Sequence, residues 1–161
     1  MSIQTTELQW QCAALESLTA IQLYDIFAAR SEVFVVEQNC VFLDMDGVDK
    51  ISLHLVGWGK RDEKNAVAAY LRIVPPGVTF PEVSLGRVIT SKDFRGSGAG
   101  KELITQGLAH LEKYYPQQPV RIGAQAYLEK FYGSFGFVTV SDVYLEDDIP
   151  HVEMLRPAST M

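Results

Sequence analysis

Residues 95–102, Arg95-Gly96-Ser97-Gly98-Ala99-Gly100-Lys101-Glu102, join a strand-like segment to an amphipathic one, and their reading decides the fold. Upstream, VSLGRVIT (83–90) has the β-branched character of a strand and is followed by a short SKDF link. Downstream, Leu103, Ile104, Leu108, Leu111 and Tyr115 form one helical stripe, which Pro116 terminates. Glycines let the backbone turn sharply and approach a ligand, while the free N–H groups of the following helix favour an anion. Arg95 and Lys101 add positive charge, so the segment suits a phosphate as well as it suits a simple helix-capping turn. A Walker A loop would need glycine where Arg95 stands and Ser or Thr where Glu102 stands. A dinucleotide fingerprint starting at Gly96 would need a third glycine at Lys101.

Outward from this loop, Thr19 and Gln22 form a capping-box pattern, and Ile21, Tyr24, Phe27 and Ala28 predict a helix running on towards Phe34. Segments 52–60 and 66–74, separated by the turn-forming RDEKN, predict an antiparallel hairpin that Pro75 and Pro76 close. Residues 120–125 predict a short buried strand. Tyr127, Leu128, Phe131, Tyr132 and Phe135 share one helical face, with Gly136 placed as a left-handed cap. FVTVSDVY (137–144) and HVEMLR (151–156) supply closing strands. This order predicts one α/β (α+β) domain over residues 1–161, with a mixed, largely antiparallel central sheet flanked by helices. The hairpin opposes a nucleotide-binding domain on an open parallel sheet.

Arg95-x-x-Gly98-x-Gly100 resembles the pyrophosphate loop of the GCN5-related N-acetyltransferases (GNAT), and Phe131-Tyr132-Gly133-Ser134-Phe135-Gly136-Phe137 resembles their FYxxxGF segment. Val33-Phe34-Val35-Val36-Glu37-Gln38, Asp44-x-Asp46-Gly47-x-Asp49, Gly123-Ala124-Gln125-Ala126 and Glu146-Asp147-Asp148-Ile149-Pro150-His151 are similar to the ElaA branch of that superfamily. The resemblance implies acetyl-CoA-dependent N-acetyl transfer to a primary amine of a small molecule or peptide. It puts the pantetheine arm along Val88, Ile89 and Thr90, and the pyrophosphate on Arg95, Gly96, Ser97, Gly98, Ala99 and Gly100, with Lys101 added. Gln125 and Phe131 join the same cofactor site, and Tyr132 becomes the general acid.

A phenol of reference pKa about 10 keeps its proton at neutral pH and can donate it to a leaving thiolate. An alkyl ammonium of pKa about 10.4 needs help to become a nucleophile, and Glu37, His54 and His151 are the candidate bases. Many relatives place a glutamate around the strand where this chain carries Arg87. Arg30 and Arg72 could bind a substrate carboxylate, and Asp46, with Asp44 and Asp49, could attract a cationic amine or form a solvated loop. Gly47 as the sixth position of an EF-hand would put Phe42 first and Leu53 twelfth, which excludes that motif. The histidines have no metal-ligand spacing, so no metal is expected.

With 14 Lys and Arg against 20 Asp and Glu, the 161 residues carry a net charge of −6, which disfavours nucleic acid and anionic membranes as partners. The N-terminus has no basic region before an apolar run, and Cys12 and Cys40 form no disulfide framework, so a cytoplasmic protein is expected. Both cysteines lie outside the motifs, which favours direct attack over an acyl-enzyme. A non-catalytic CoA-binding sensor or interaction module is the alternative, because a phosphate loop can persist without chemistry. Oligomeric state stays open at this level, a homodimer included.

Overall fold

The computed structural model describes residues 3–158. In chain order the elements are β1 (Ile3–Ala14), α1 (Ala20–Ser31), β2 (Leu53–Arg61), β3 (Lys64–Val74), β4 (Ser84–Thr90), α2 (Ala99–Tyr114), β5 (Val120–Gln125), α3 (Glu129–Gly133), β6 (Val138–Thr139), β7 (Tyr144–Glu146) and β8 (Ile149–Arg156). Strands β1-β2-β3-β4 form one antiparallel sheet, and β8 pairs antiparallel with β5, β6 and β7 in a second. A single parallel bridge between Val83 and Val120, with the Arg121 amide donating to the Val83 carbonyl at 3.0 Å, joins the two. The fold is therefore the mixed, largely antiparallel α/β architecture with flanking helices that the sequence predicts.

The expected hairpin is β2–β3, paired from Leu53 opposite Ile73 to Arg61 opposite Lys64. β3 is buried on both faces because a helix covers each. Leu55, Leu71, Ile73 and Leu85 meet Leu103, Ile104 and Leu111 of α2, while Val56, Val67, Tyr70 and Ile89 meet Ile26 of α1. Gly107 lets α2 approach closely: a Cβ there would stand 3.0 Å from Leu71 Cδ2. Strand β1 falls outside the elements expected from sequence, yet Leu8, Trp10 and Cys12 alternate along it and pack on the main core.

Helix α1 has the expected capping box, with the Gln22 amide donating to Thr19 Oγ1 and the Thr19 amide donating to Gln22 Oε1. Its buried face differs from the expected one. Ile21 and Tyr24 are 73% and 75% exposed, and the inward stripe is Leu23, Ile26, Phe27 and Arg30. A paired arginine completes that stripe, which an apolar count alone misses.

Two further expectations are corrected. The aromatic helix breaks into a tight turn at residues 126–128 and the short α3, which leaves Tyr127 exposed while Tyr132 is buried. Of residues 137–144, β6 covers Val138 and Thr139 alone, and Tyr144 opens β7. Val138 and Val140 alternate as a strand would and Val143 falls out of phase, but all three are exposed, so no packed layer sustains the pairing. Gly136 has φ +95°, as its position after α3 predicts.

Candidate active site

Beyond the Val83–Val120 bridge, β4 and β5 separate and open a cavity of about 650 Å³. Leu85–Thr90 line one wall and Ile122–Gln125 the other. In β4, Ile89 faces Tyr70 while Gly86 faces Arg72, so two residues, Arg87 and Val88, stand opposite one. Arg87 takes φ +51° within this bulge. Bulges re-aim side chains beside functional sites, and here the Arg87 guanidinium lies 6.0 Å from the Phe34 ring centroid and 5.5 Å from that of Phe42. Both rings line the cavity. Phe34 and Glu37 reach it from a wide turn following α1, where the Gln38 amide donates to the Val33 carbonyl and the Cys40 amide to the Val35 carbonyl.

The expected cofactor residues occupy this cavity and its rim. Val88, Ile89, Thr90, Arg95, Gly100, Gln125 and Phe131 line it. Gly96, Ser97, Gly98, Ala99 and Lys101 lie outside the lining and form the turn into α2. Gly98 is the N-cap of α2 at φ +86° and has no side chain to cap it, so the opening amides of a 16-residue helix stay free for an anion. Ala99 is buried and offers only backbone, while Ser97 Oγ donates to the Phe94 carbonyl at 2.5 Å. Arg95 donates through Nε to the Thr90 carbonyl at 3.0 Å and through Nη2 to Glu37 at 2.7 Å.

Tyr132 is 5% exposed, lines the cavity and packs edge-on against Phe131 and Phe137. Burial pushes its pKa above the ordinary 10.0, so the hydroxyl holds its proton. No hydrogen-bond partner meets that hydroxyl among the described residues, and it is not one of the sealed, unpartnered side-chain atoms, so it is open to the cavity.

Among the three candidate bases, His151 and Glu37 line the cavity and His54 does not. His54 is fully buried under the acidic loop. Its Nε2 lies 2.9 Å from the Asp49 carbonyl, which can only accept, so Nε2 carries the proton and Nδ1 accepts from the Tyr70 hydroxyl at 2.7 Å. A ring with both nitrogens engaged and no access to the cavity is structural, which removes it as a base. Glu37 is engaged by Arg95. His151 faces the cavity with Nδ1 2.7 Å from the Ile149 carbonyl, so Nδ1–H donates there, and Nε2 stands 3.5 Å from Glu146 Oε2.

The suggested substrate-binding residues are also corrected. Arg30, Arg72 and Asp46 lie outside the cavity lining, in a neutral cluster of three arginines and three aspartates. Arg30 bonds Asp44 at 2.9 Å and Asp49 at 2.7 Å, Arg72 bonds Asp46 through both terminal nitrogens at 2.8 Å, and Arg87 bonds Asp44 at 2.7 Å. The Arg72 hydrogen bonds hold Asp46 well below the ordinary carboxylate range. Burial alone would raise Asp49, but Arg30 and Arg72 outweigh it and hold Asp49 low. No apolar periodicity reports this cluster; the signal in the sequence is Arg30 on a helix's buried stripe together with the spaced aspartates 44, 46 and 49.

Two outcomes follow for stability. Arg30→Met leaves Asp44 with Arg87 and Asp49 with Arg72 but strips one buried cation from a neutral cluster, and lowers unfolding free energy by up to about 3 kcal/mol in urea titration. Burial depresses the His54 pKa below its ordinary 6.5. The unfolded chain therefore binds a proton that the folded chain resists, so stability is full above pH 6.5 and is lost as pH falls from there through the folded pKa. His54→Gln flattens that part of the urea-midpoint profile, whatever its effect on the midpoint near neutral pH.

Residues 61–156 match a family model described as an acetyltransferase (GNAT) domain. The chain is 42% identical to Escherichia coli protein ElaA over 151 residues, covering 92% of this chain and 96% of that one. It is 40% identical to a UPF0039 protein of Synechocystis over 149 residues, covering 92% and 95%. Its structure resembles that of an acyl-CoA N-acyltransferase from Pseudomonas aeruginosa, with TM-score 0.85, 42% identity and coverage of 92% and 99%. The splayed strands, free helix amides and matched sequence converge: this chain belongs to the GNAT acetyltransferase family, whose fold supports acyl-CoA-dependent acyl transfer.

Proposed function

We propose that the protein is a cytoplasmic N-acetyltransferase that moves an acetyl group from acetyl-CoA directly to a primary amine. Tyr132 acts as general acid and His151 as general base. The observation that carries this reading is the Tyr132 hydroxyl, buried, protonated and without a partner in the cavity between β4 and β5. Its oxygen is open to the cavity, where a bound ligand can receive the proton it holds.

The donor site fits the residues at hand. The α2 amides and Arg95 offer donors for pyrophosphate oxygens. The edges of β4 and β5 left unpaired by their separation suit an extended arm that carries amides. When bound, acetyl-CoA supplies a thioester carbonyl and a thiolate leaving group. His151 Nε2 takes a proton from the incoming ammonium, with Nδ1–H fixed on the Ile149 carbonyl and Glu146 steadying the imidazolium. The freed amine forms the C–N bond, the C–S bond breaks, and Tyr132 gives its proton to sulfur. The second amine proton leaves to solvent, His151 releases the proton it took, and solvent reprotonates Tyr132. The net reaction is ammonium plus thioester giving amide, free thiol and one proton.

Calorimetry with acetyl-CoA and CoA, followed by thiol release with a panel of amines, tests the reading. Binding with release is expected, and absence of CoA binding overturns it. Tyr132→Phe should keep CoA affinity and lose about 10²-fold or more in turnover. Full turnover in that variant removes Tyr132 as the acid.

A further inference from the structure

We propose that the acceptor is a dicationic amine without a carboxylate, its second ammonium held by Asp147 at the β7–β8 turn; this deepens the acyltransferase reading and rests on it. The argument begins with the cations that face the cavity. Two line it, Arg87 and Arg95, and each is already paired: Arg87 with Asp44 at 2.7 Å and Asp46 at 3.4 Å, Arg95 with Glu37 at 2.7 Å. An acceptor bearing a carboxylate would find no unpaired arginine or lysine among the described lining residues, and burying its charge there would be costly.

Carboxylates are in excess on the same walls. Glu37, Glu146 and Asp147 line the cavity. Glu37 is matched by Arg95 and Glu146 faces His151, whereas Asp147 makes no ion pair among the described residues. Phosphate oxygens bound at the α2 amides would share Arg95 with Glu37 and leave that wall more negative still. The Asp147 backbone carbonyl accepts a long 3.6 Å bond from Cys40 Sγ, which links the β7–β8 turn to the segment after α1, while the Asp147 residue itself is exposed.

A separate observation marks the cavity, rather than the carboxylates alone, as a ligand site. Tyr132, 95% buried by its 5% exposure, presents an unpartnered hydroxyl to the same cavity. One amine of the acceptor meets His151 and the reacting carbonyl near that hydroxyl, and the other reaches Asp147. Charge-assisted hydrogen bonds of this kind are worth at least about tenfold in affinity.

The test uses the full chain saturated with CoA and titrated calorimetrically with putrescine, cadaverine, butylamine and γ-aminobutyrate, short amines that differ in what the far end carries. The expected result is that at least one diamine binds about tenfold or more tightly than butylamine, with γ-aminobutyrate weakest. Asp147→Asn should bring that diamine down to the level of butylamine while CoA affinity stays unchanged, which also reports intact folding. Equal binding of butylamine and both diamines, γ-aminobutyrate binding as well as they do, no amine binding to the CoA complex, or a diamine preference that survives Asp147→Asn each overturns the proposal alone. Failure of CoA itself to bind overturns the acyltransferase reading, and the acceptor assignment with it.

Discussion

Everything around the cavity follows from one constraint: β4 and β5 run parallel but bridge only at Val83 and Val120. Parallel strands that continued to pair would close the sheet and leave no room between Leu85–Thr90 and Ile122–Gln125. Their separation instead leaves backbone donors and acceptors without ladder partners, and each such group that is buried without a partner costs about 1–3 kcal/mol. A fold tolerates that where water or an extended polar ligand completes the bonding. The bulge at Arg87 and Val88 belongs to the same solution, because it lets β4 leave the ladder of β3 for two residues and rejoin it.

The β4 wall is anchored on its other side by the six-membered ion cluster, which Arg87 joins. Arg30 comes from α1, Arg72 from β3, Arg87 from β4, and the three aspartates from the loop between α1 and β2. Equal numbers of opposite charges limit the net field, and nearly every contact is also a hydrogen bond, which a buried pair needs to offset desolvation. The cluster does two things at once. It covers the polar side of α1, and it steadies the Arg87 guanidinium beneath Phe34 and Phe42, so an arrangement outside the cavity fixes two rings that line it.

How much of this was legible depended on how local each signal is. Helix α2 and its glycine turn lie in one continuous segment whose apolar stripe faces a uniform apolar sheet, and residues 95–116 carry the full pattern. The β2–β3 hairpin was legible for the same reason. In α1 the stripe includes a buried charge, so counting apolar residues turned the helix by about a residue and put Ile21 and Tyr24 inside. Residues 137–144 have strand-like alternation only in part, and no layer to bury it. That Tyr132 lines the cavity was legible only through the FYxxxGF resemblance, since by periodicity it is one more aromatic on a helix face. The engagement of His54 by Tyr70 and Asp49 depends on tertiary placement that no spacing encodes.

That division between local and non-local signals also separates the two ends of the reaction. The proposed donor end draws chiefly on β4, the loop at 95–100 and α2, which are close in sequence, with Gln125 and Phe131 added from beyond them. The proposed acceptor end is assembled from two distant stretches: residues 34–42 after α1, with Phe34, Glu37 and Phe42, and the β7–β8 hairpin with Glu146, Asp147 and His151. Substitutions in either of these can change the charge facing the acceptor without touching the phosphate loop. A shared fold can therefore keep one acyl donor while its acceptors diverge. The two proton-handling groups reflect the same split. Tyr132 sits on α3, tied to the core through Phe131 and Phe137, whereas His151 sits on β8 beside the hairpin turn. In the proposed roles, an acid on the donor side can serve many acceptors, while a base on the acceptor side must suit the amine it deprotonates.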